Sequence, residues 1–321
     1  MKQLFLACLI FSQTFFSAHL FAAPGYHIPD VDVDMQFRQV SPRVYYVAGV
    51  AGAATENKGF ISNAVLIVTD EGAVVFDALG SPSLAQLFVR KVKAITSQPI
   101  KKVFVSHYHA DHIYGLQVFR DLGSVIYAPA GSVNYYRSEG AQIRLNERRQ
   151  SLKPWVNKDT RIIEPDQNIA KDFSFDMGGV NFSVIHFGST HSHGDLALFV
   201  ESEKVLLSGD LVFSGRIPFV GGNEIDSWIE KIDSIAVIPA NHIIPGHGLA
   251  FSDLKSGVSL TRSYLQLLKE SMSRGVQELM SFEDIYQATD WGKFSKLPAF
   301  KQGNRGNAYR VFLATEAKSL E

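Results

Sequence analysis

"VFVSHYHADHIYG", residues Val103–Gly115, decides how the rest of this chain is read. Its first residues are apolar or small, as in a buried strand. Three histidines and an aspartate then fall within six positions. Alternation along a strand puts His107 and His109 on one side, so both imidazoles can reach one point beyond the strand's end. Asp111 and His112, where the chain turns into the next helix, can reach a second point a few ångströms away. Neutral imidazoles joined by a carboxylate suit a borderline divalent cation with N and O ligands, and zinc is the natural candidate.

Three later stretches have the same character. "STHSHGD" sets His191 and His193 in a turn between two strands, "LLSGD" ends a strand on Asp210, and "HIIPGHG" ends one near His247. Each comes just after an apolar run and beside glycine, where a strand hands a polar side chain to an exposed edge. A lone loop histidine or turn aspartate is usually just solvated, but their shared placement at strand ends argues for convergence.

Around these motifs the elements come in two rounds. Strands are expected at Arg43–Gly49, Ile61–Asp70 and Gly72–Ala78, with "DEG" as a hairpin turn. A helix follows, with Ser81 as its cap and Pro82 in its first turn. "KKVFVSH" reads as a strand, Ile113–Gly123 as a helix, "SVIYAP" as a strand, and Ala130 to about Lys153 as one long helix. A second β-rich block has a hairpin turning at Met177–Gly179 and another near Glu203, then a helix at "EIDSWIEKIDSI" and the "HIIPGHG" strand. The last seventy or so residues read as helical. Strands then helices, twice over, predict two sheets face to face with helices outside, an α+β sandwich, rather than one parallel array. No linker interrupts residues 24–321, which are expected to form one domain.

Composition limits the rest. The chain has 321 residues, 46% of them hydrophobic, and a net charge of −1, which argues against a nucleic-acid or other polyanion binder. Residues 1–23 carry a Lys, an apolar run and then small residues, the anatomy of a signal peptide cleaved near Ala22 or Ala23. The apolar run falls short of the roughly 20 residues that span a bilayer, so no stable membrane insertion is expected. The sole cysteine, Cys8, lies in that leader, so the mature chain has no thiol for a disulfide, a ligand or a nucleophile. Periplasmic or secreted residence follows. The basic "RLNERRQSLK" stretch, Arg144–Lys153, reads first as a solvated helix face, while Tyr135, Tyr136, Arg137 and Arg144 are candidates for the mouth of a site. The "GVAGAATENKGFIS" loop is a candidate cover, Trp155 and Trp228 are packing residues, and Asp77 is a candidate acceptor behind a ligand histidine.

Taken in order, "SHYHADH", a histidine preceded by Thr190, "SGD" and "PGHG" resemble the ordered motifs of the metallo-β-lactamase superfamily, over nearly the whole mature chain. The resemblance implies a four-layer αββα sandwich with two zinc ions per chain along one edge of the sheets. It implies that His107, His109 and His191 hold one ion, that Asp111, His112 and His247 hold the other, and that Asp210 bridges them. His191 matches the family's motif histidine. His193 stands where the family has proline, so it is expected behind the ligands or facing substrate, with His186 and His242 structural. Members that reduce oxygen at iron usually carry a Glu where His109 stands, which favours zinc and hydrolysis.

The implied activity is hydrolysis of an ester, thioester, lactone or amide-type bond in a small-molecule substrate by metal-activated hydroxide, with Asp111 as the catalytic carboxylate. A β-lactamase is one alternative. The exported chain is also similar to metallohydrolases associated with periplasmic quinoprotein and sulfur-oxidation systems. A quinoprotein is thus a candidate partner, and a non-catalytic metal-binding role beside a quinoprotein dehydrogenase is the other alternative.

Overall fold

The structure is a computed structural model that describes residues 26–221 and 225–320. The expected leader, residues 1–23, lies outside the described residues.

The first sheet runs β1 (Phe37–Ser41), β2 (Val44–Val47), β3 (Ala64–Thr69), β4 (Gly72–Phe76), β5 (Ile100–Phe104), β6 (Val125–Pro129) and β7 (Gln167–Ile169), in that spatial order. Pairing is antiparallel as far as β4 and parallel from β4 to β7. β4 (GAVVF) is buried along its whole length, as expected of a strand covered on both faces. The second sheet has the order β12 (His242–His247), β11 (Val205–Phe213), β10 (Asp195–Val200), β9 (Val180–Gly188), β8 (Phe173–Met177), antiparallel except for β11 with β12.

Helices cover both outer faces. On the first sheet lie α1 (Pro82–Val92), α2 (Ala110–Ile113), α3 (Leu116–Asp121), α4 (Val133–Tyr136) and α5 (Glu139–Ser151). On the second lie α6 (Ile225–Ile235), α7 (Leu254–Gln277), α8 (Phe282–Ala288) and α9 (Phe300–Ser319). The apolar core accordingly has three parts. Leu84, Phe88, Phe119 and Leu145 pack on the outer face of the first sheet, and Trp228, Tyr264, Leu268 and Phe312 on that of the second. Ile67, Phe76, Phe104, Phe182, Leu198 and Leu207 fill the space between the sheets. This is the αββα sandwich that the order of elements implied.

Four expectations need correction. β11 runs past Asp210 to Phe213, so Asp210 lies within a strand and does not end one. β5 ends at Phe104, so His107 and His109 stand in the loop beyond it, not in the strand. The helix expected from Ile113 begins at Ala110, which puts Asp111 and His112 in a single helical turn, and the chain breaks before α3. The break lies at Gly115, where a Cβ would stand 1.9 Å from the Ala78 carbonyl oxygen, so only glycine permits the approach. The long helix expected from Ala130 divides at Arg137–Ser138, because the Ser138 side chain turns to accept from the Ala141 amide and cap α5. Ser81 caps α1 as read, accepting from Leu84 N at 3.1 Å.

Candidate metal centre

The strand ends and turns that carry the motifs meet along one edge of the two sheets. His107 and His109 follow β5, and Asp111 and His112 lie in α2. His191 sits in the turn between β9 and β10, Asp210 lies in β11 and His247 ends β12. Ligand-capable atoms of His107, His109, His191 and Asp210 all lie within 4.8 Å of one another, as do those of Asp111, His112 and His247. Each cluster takes residues from both sheets. His193, by contrast, is exposed and stacks on Tyr108 at 6.4 Å, outside both clusters.

The distances match a metal's coordination shell. In the first cluster His107 Nε2 is 2.9 Å and His191 Nε2 3.0 Å from His109 Nδ1, and His191 Nε2 is 3.3 Å from Asp210 Oδ2. In the second, His247 Nε2 lies 3.3 Å from Asp111 Oδ2, and His112 Nε2 lies 3.7 Å from the same oxygen. Ligands about 2.0–2.1 Å from a tetrahedral ion stand about 3.3 Å apart. Asp210 faces both sides, with Oδ1 3.3 Å from His112 Nε2 and Oδ2 3.3 Å from His191 Nε2 and His247 Nε2. His112 Nε2 and Asp210 Oδ1 are buried without a hydrogen-bond partner, as befits atoms whose partner is a cation. The residues fit divalent metal.

Acceptors behind the histidines fix which nitrogen faces inward. Asp77 Oδ2 takes the His112 Nδ1 proton at 2.8 Å, and His247 Nδ1 donates to the Ile61 carbonyl at 2.7 Å. His107 Nδ1 lies 2.9 Å from Ser106 Oγ, which in turn donates to Asp77 Oδ2 at 2.8 Å. One buried carboxylate thus braces a histidine in each cluster, the arrangement that raises ligand basicity and holds ring orientation. Asp77 takes up φ +65° to do so, a left-handed conformation that Asp tolerates better than most residues. The His191 turn has its own brace. Asp195 accepts from Thr190 Oγ1 at 2.6 Å and from Ser192 N at 2.8 Å.

Charge is divided unevenly. Burial lowers His109 to about 4 and His191 to about 3, and burial with His112 alongside holds His107 well below its usual value. For His112 burial acts in the same direction, but Asp77, Asp210 and Asp111 outweigh it and raise the group well above its usual value. His247 is likewise raised against burial, chiefly by Asp210. Burial alone would raise Asp111 and Asp210. The facing His112 and His247 outweigh it and hold both carboxyls below the usual carboxylate range.

A cleft of about 380 Å³ opens over the clusters. Gly52, Ala53 and Thr55 of the expected covering loop line it, together with Tyr135 and Arg144. Two candidates for the mouth do not. Tyr136 is buried, and Arg137 pairs at 2.6 Å with Glu164 on the outside. The basic α5 face is not simply solvated, since Arg144 and Arg148, one turn apart, form part of the cleft wall. The sequence reading also missed Arg216, Phe219 and Arg310, which line the cleft, and Ser106. The Arg144–Arg148 spacing of four was a signal available in the sequence; the isolated arginines carried none. A larger depression, about 730 Å³ at the β8–β9 edge, contains none of the cluster residues.

Glycine makes room for the bridging carboxylate. A Cβ on Gly246 would stand 2.0 Å from Asp210 Oδ1 and 2.8 Å from the Gly209 carbonyl carbon. Gly246→Ala should destabilise the fold by about 1–3 kcal/mol, the usual cost of an overpacked interior, and should shift Asp210 enough to lower metal content. Thermal melting and elemental analysis of the purified variant check both effects.

The two-sheet sandwich and the paired His/Asp clusters along its edge define a metal-dependent hydrolase. Comparison with known proteins agrees. Residues 57–247, more than half of the chain, match the family model described as Metallo-beta-lactamase superfamily. The chain belongs to that superfamily. It is 24% identical over 209 residues to metallo-beta-lactamase IND-1 of Chryseobacterium indologenes, covering 64% of this chain and 77% of that one. It is 22% identical over 196 residues to the probable metallo-hydrolase YqgX of Bacillus subtilis, covering 58% and 85%. A metallo-beta-lactamase family protein of Thermus thermophilus superposes with a TM-score of 0.63 at 17% identity, over 86% of this chain and 93% of that one. The sec-alkylsulfatase Pisa1 from Pseudomonas sp. superposes at 0.66 with 16% identity, over 89% of this chain and 50% of that one. At such identities the two structures speak to the fold alone.

Proposed function

We propose that this chain is an exported hydrolase that uses two zinc ions to cleave an ester, thioester, lactone or amide-type bond in a small molecule. The observation that carries the reading is the Asp210 carboxylate, which stands 3.3 Å from ligand nitrogens of both clusters. A single carboxylate facing imidazoles of both clusters suits a pair of neighbouring divalent ions. Zinc held there would supply water activated for attack near neutral pH and would polarise the bond to be broken.

The chain's own groups do the remainder. His107, His109 and His191 offer uncharged nitrogens, and the acceptors behind His107, His112 and His247 keep their Nε2 lone pairs aimed at the clusters. Asp111 keeps 21% exposure against 4% for Asp210, so of the two carboxylates it is the one that water in the cleft can meet. Held ionised by His112 and His247, it orients the attacking water, accepts its proton and passes it to the leaving group. The Gly52–Thr55 loop and Phe219 narrow the entrance and limit access of bulk water.

The pKa directions give a test of the metal sites. His109 at about 4 and His191 at about 3 have no proton to lose at neutral pH. His112 and His247, raised above the usual value of about 6.5, must release theirs on binding. Between about pH 6 and 8 zinc affinity of the first cluster should therefore be nearly flat, while that of the second climbs by up to about tenfold per unit for each proton released. Calorimetric titration in buffers of unlike ionisation enthalpy measures the released protons. Two sites with the same pH dependence would refute the division of charge.

The deciding experiment is turnover of a panel of thioester, lactone, phosphodiester and β-lactam substrates by zinc-loaded protein, with chelator as control. Nitrocefin belongs on the panel because relatives named metallo-beta-lactamases are 24–26% identical to this chain. Failure of the loaded protein to cleave any of them would defeat the hydrolase reading. Export and a periplasmic quinoprotein partner are parts of the proposal that rest on the sequence alone. Among the described residues no helix is long and apolar enough to cross a membrane. Expressed in a bacterium from Met1, the protein should be recovered from the periplasmic fraction with a mature N-terminus at residue 23 or 24, read by mass spectrometry. Retention of the full leader in the cytoplasm would contradict export.

A further inference from the structure

Four arginines around the clusters narrow the substrate, an inference that rests on the hydrolase reading. Arg216, just past β11, is 7% exposed and lines the cleft beside His247. Its Nε donates to the Ile217 carbonyl at 3.2 Å, and its Nη1 lies 3.3 Å from His247 Nδ1. That nitrogen already donates its proton to Ile61, so the contact sets donor against donor. No carboxylate among the described residues comes within the 4.0 Å of an ion pair. A buried guanidinium beside cation-binding clusters, without an anion of its own, is costly to keep.

On the side of the first cluster, Arg144 and Arg310 line the cleft and also its side lobe against His109 and His191. Arg310 sits over the Phe219 ring at 4.6 Å, and Phe219 in turn meets the His109 ring at 5.8 Å. Arg148 adds a further positive charge to the same wall. Arg144 pairs with Glu147 on its own helix, and neither Arg148 nor Arg310 forms an ion pair among the described residues. The acids that line the cleft are Asp111 and Asp210, both members of the clusters. Like charges gathered in this way repel, and the divalent ions of the proposed function would add to the repulsion. The Arg310 contribution comes from α9, beyond the residues 57–247 that match the family model.

We propose that the substrate is a dianion, with one oxyanion group on each side of the bond it loses. Arg216 receives the group beside the second cluster. Arg144 and Arg310 receive the group beside the first, and Phe219 and Tyr135 pack against the carbon between. Arg148 adds to the field that draws the substrate in.

Four matched esters test this on the zinc-loaded enzyme: phenyl butanoate, monophenyl succinate, 4-carboxyphenyl butanoate and mono(4-carboxyphenyl) succinate. Each carboxylate should raise kcat/KM by about tenfold or more, and the two together by about a hundredfold, as expected of charge-assisted hydrogen bonds. Arg216→Gln should remove the gain from one carboxylate and Arg310→Gln the gain from the other. Arg216→Lys should restore only part, because it lacks the planar fork. Raising ionic strength from about 0.05 to 0.5 M should weaken the gain at exposed Arg144 and half-buried Arg310 more than that at buried Arg216. Sulfonates in place of the carboxylates separate a carboxylate from a sulfate-like substrate, and preference for either dianion supports the proposal. The four esters turning over within about threefold of one another would overturn it, as would arginine variants that slow all four equally.

Binding of 4-(4-carboxyphenoxy)butanoate, an ether that cannot be hydrolysed, is measured alongside by calorimetry on zinc-loaded wild type and Arg310→Gln. Tighter binding to wild type without ester turnover would defeat the hydrolase reading and leave the dianion site standing. Equal affinity for the two proteins overturns the site, also if Arg216→Gln fails to fold.

Discussion

Asp77→Ala should empty both clusters of tightly held metal and lower the stability of the apoprotein at the same time. The lost oxygens serve His112 Nδ1, Ser106 Oγ and the Ser106 amide, at 2.7–2.8 Å. All three donors lie in the interior, and breaking a buried charged network of this kind costs about 3–5 kcal/mol. Free of Asp77, the His112 ring can turn away from Asp210, and His107 loses the support relayed through Ser106. Removal of one such partner usually costs 10–100-fold in metal affinity. Here a single residue serves a histidine in each cluster, so both affinities should fall by about that factor. Asp77→Asn separates the effects. Asparagine tolerates the left-handed backbone at +65° and keeps one oxygen as an acceptor, but carries no charge. It should fold better than the alanine variant, bind zinc weakly and regain part of its activity in excess zinc. Melting curves with and without chelator, and zinc content by elemental analysis, provide the measurements. Unaltered zinc affinity in Asp77→Ala would show that the ligands hold their orientation unaided.

Asp111→Asn is expected to slow turnover by about 10²–10⁴-fold, the range for loss of a positioned acid–base group, with far less change in KM. Asparagine has nearly the same shape and can still present an oxygen toward His247 Nε2, 3.3 Å from Asp111 Oδ2 in the native protein. What it cannot do is take a proton from water. Asp111 belongs to the second cluster and not to the first, so the variant should retain the first metal fully and bind the second more weakly. Assays at saturating zinc distinguish a missing metal from a missing base. If excess zinc restores full turnover, Asp111 is a ligand and nothing more.

How much of this the sequence disclosed depends on how each group is built. The seven cluster residues were legible because four of them fall within six positions, His107–His112, just past an apolar run, because Asp210 and His247 stand beside glycine near the end of one, and because His191 lies in a polar turn between two strands. Asp77 was legible because it too follows an apolar run, in "VVFDA". The two-sheet layout followed from the order of strands and helices. Helix breaks were not legible. At Gly115 the backbone runs close against the Ala78 carbonyl and its amide donates to the Leu79 carbonyl at 3.1 Å, a contact between distant segments that local pattern cannot reveal. The division at Ser138 is a capping event that competes with an otherwise helical run. Cleft arginines were hidden for a different reason. Arg216 and Arg310 come from segments about a hundred residues apart, and an isolated arginine looks like solvated surface until the fold brings it to a wall. Tyr136 and Arg137 show the converse, since neighbours of Tyr135 in sequence point to the interior and to Glu164.

Because each cluster takes residues from both sheets, the cations would act as rivets between the two halves of the molecule. His107 and Asp210 are about a hundred residues apart, and a covalent link over such a span stabilises a fold by roughly 4–5 kcal/mol in the chain-entropy account. A disulfide is the usual covalent tie of this kind, and this chain has no cysteine after Cys8. Chelation would then do more than silence the enzyme: it would unfasten the sandwich along its catalytic seam and expose it to proteases.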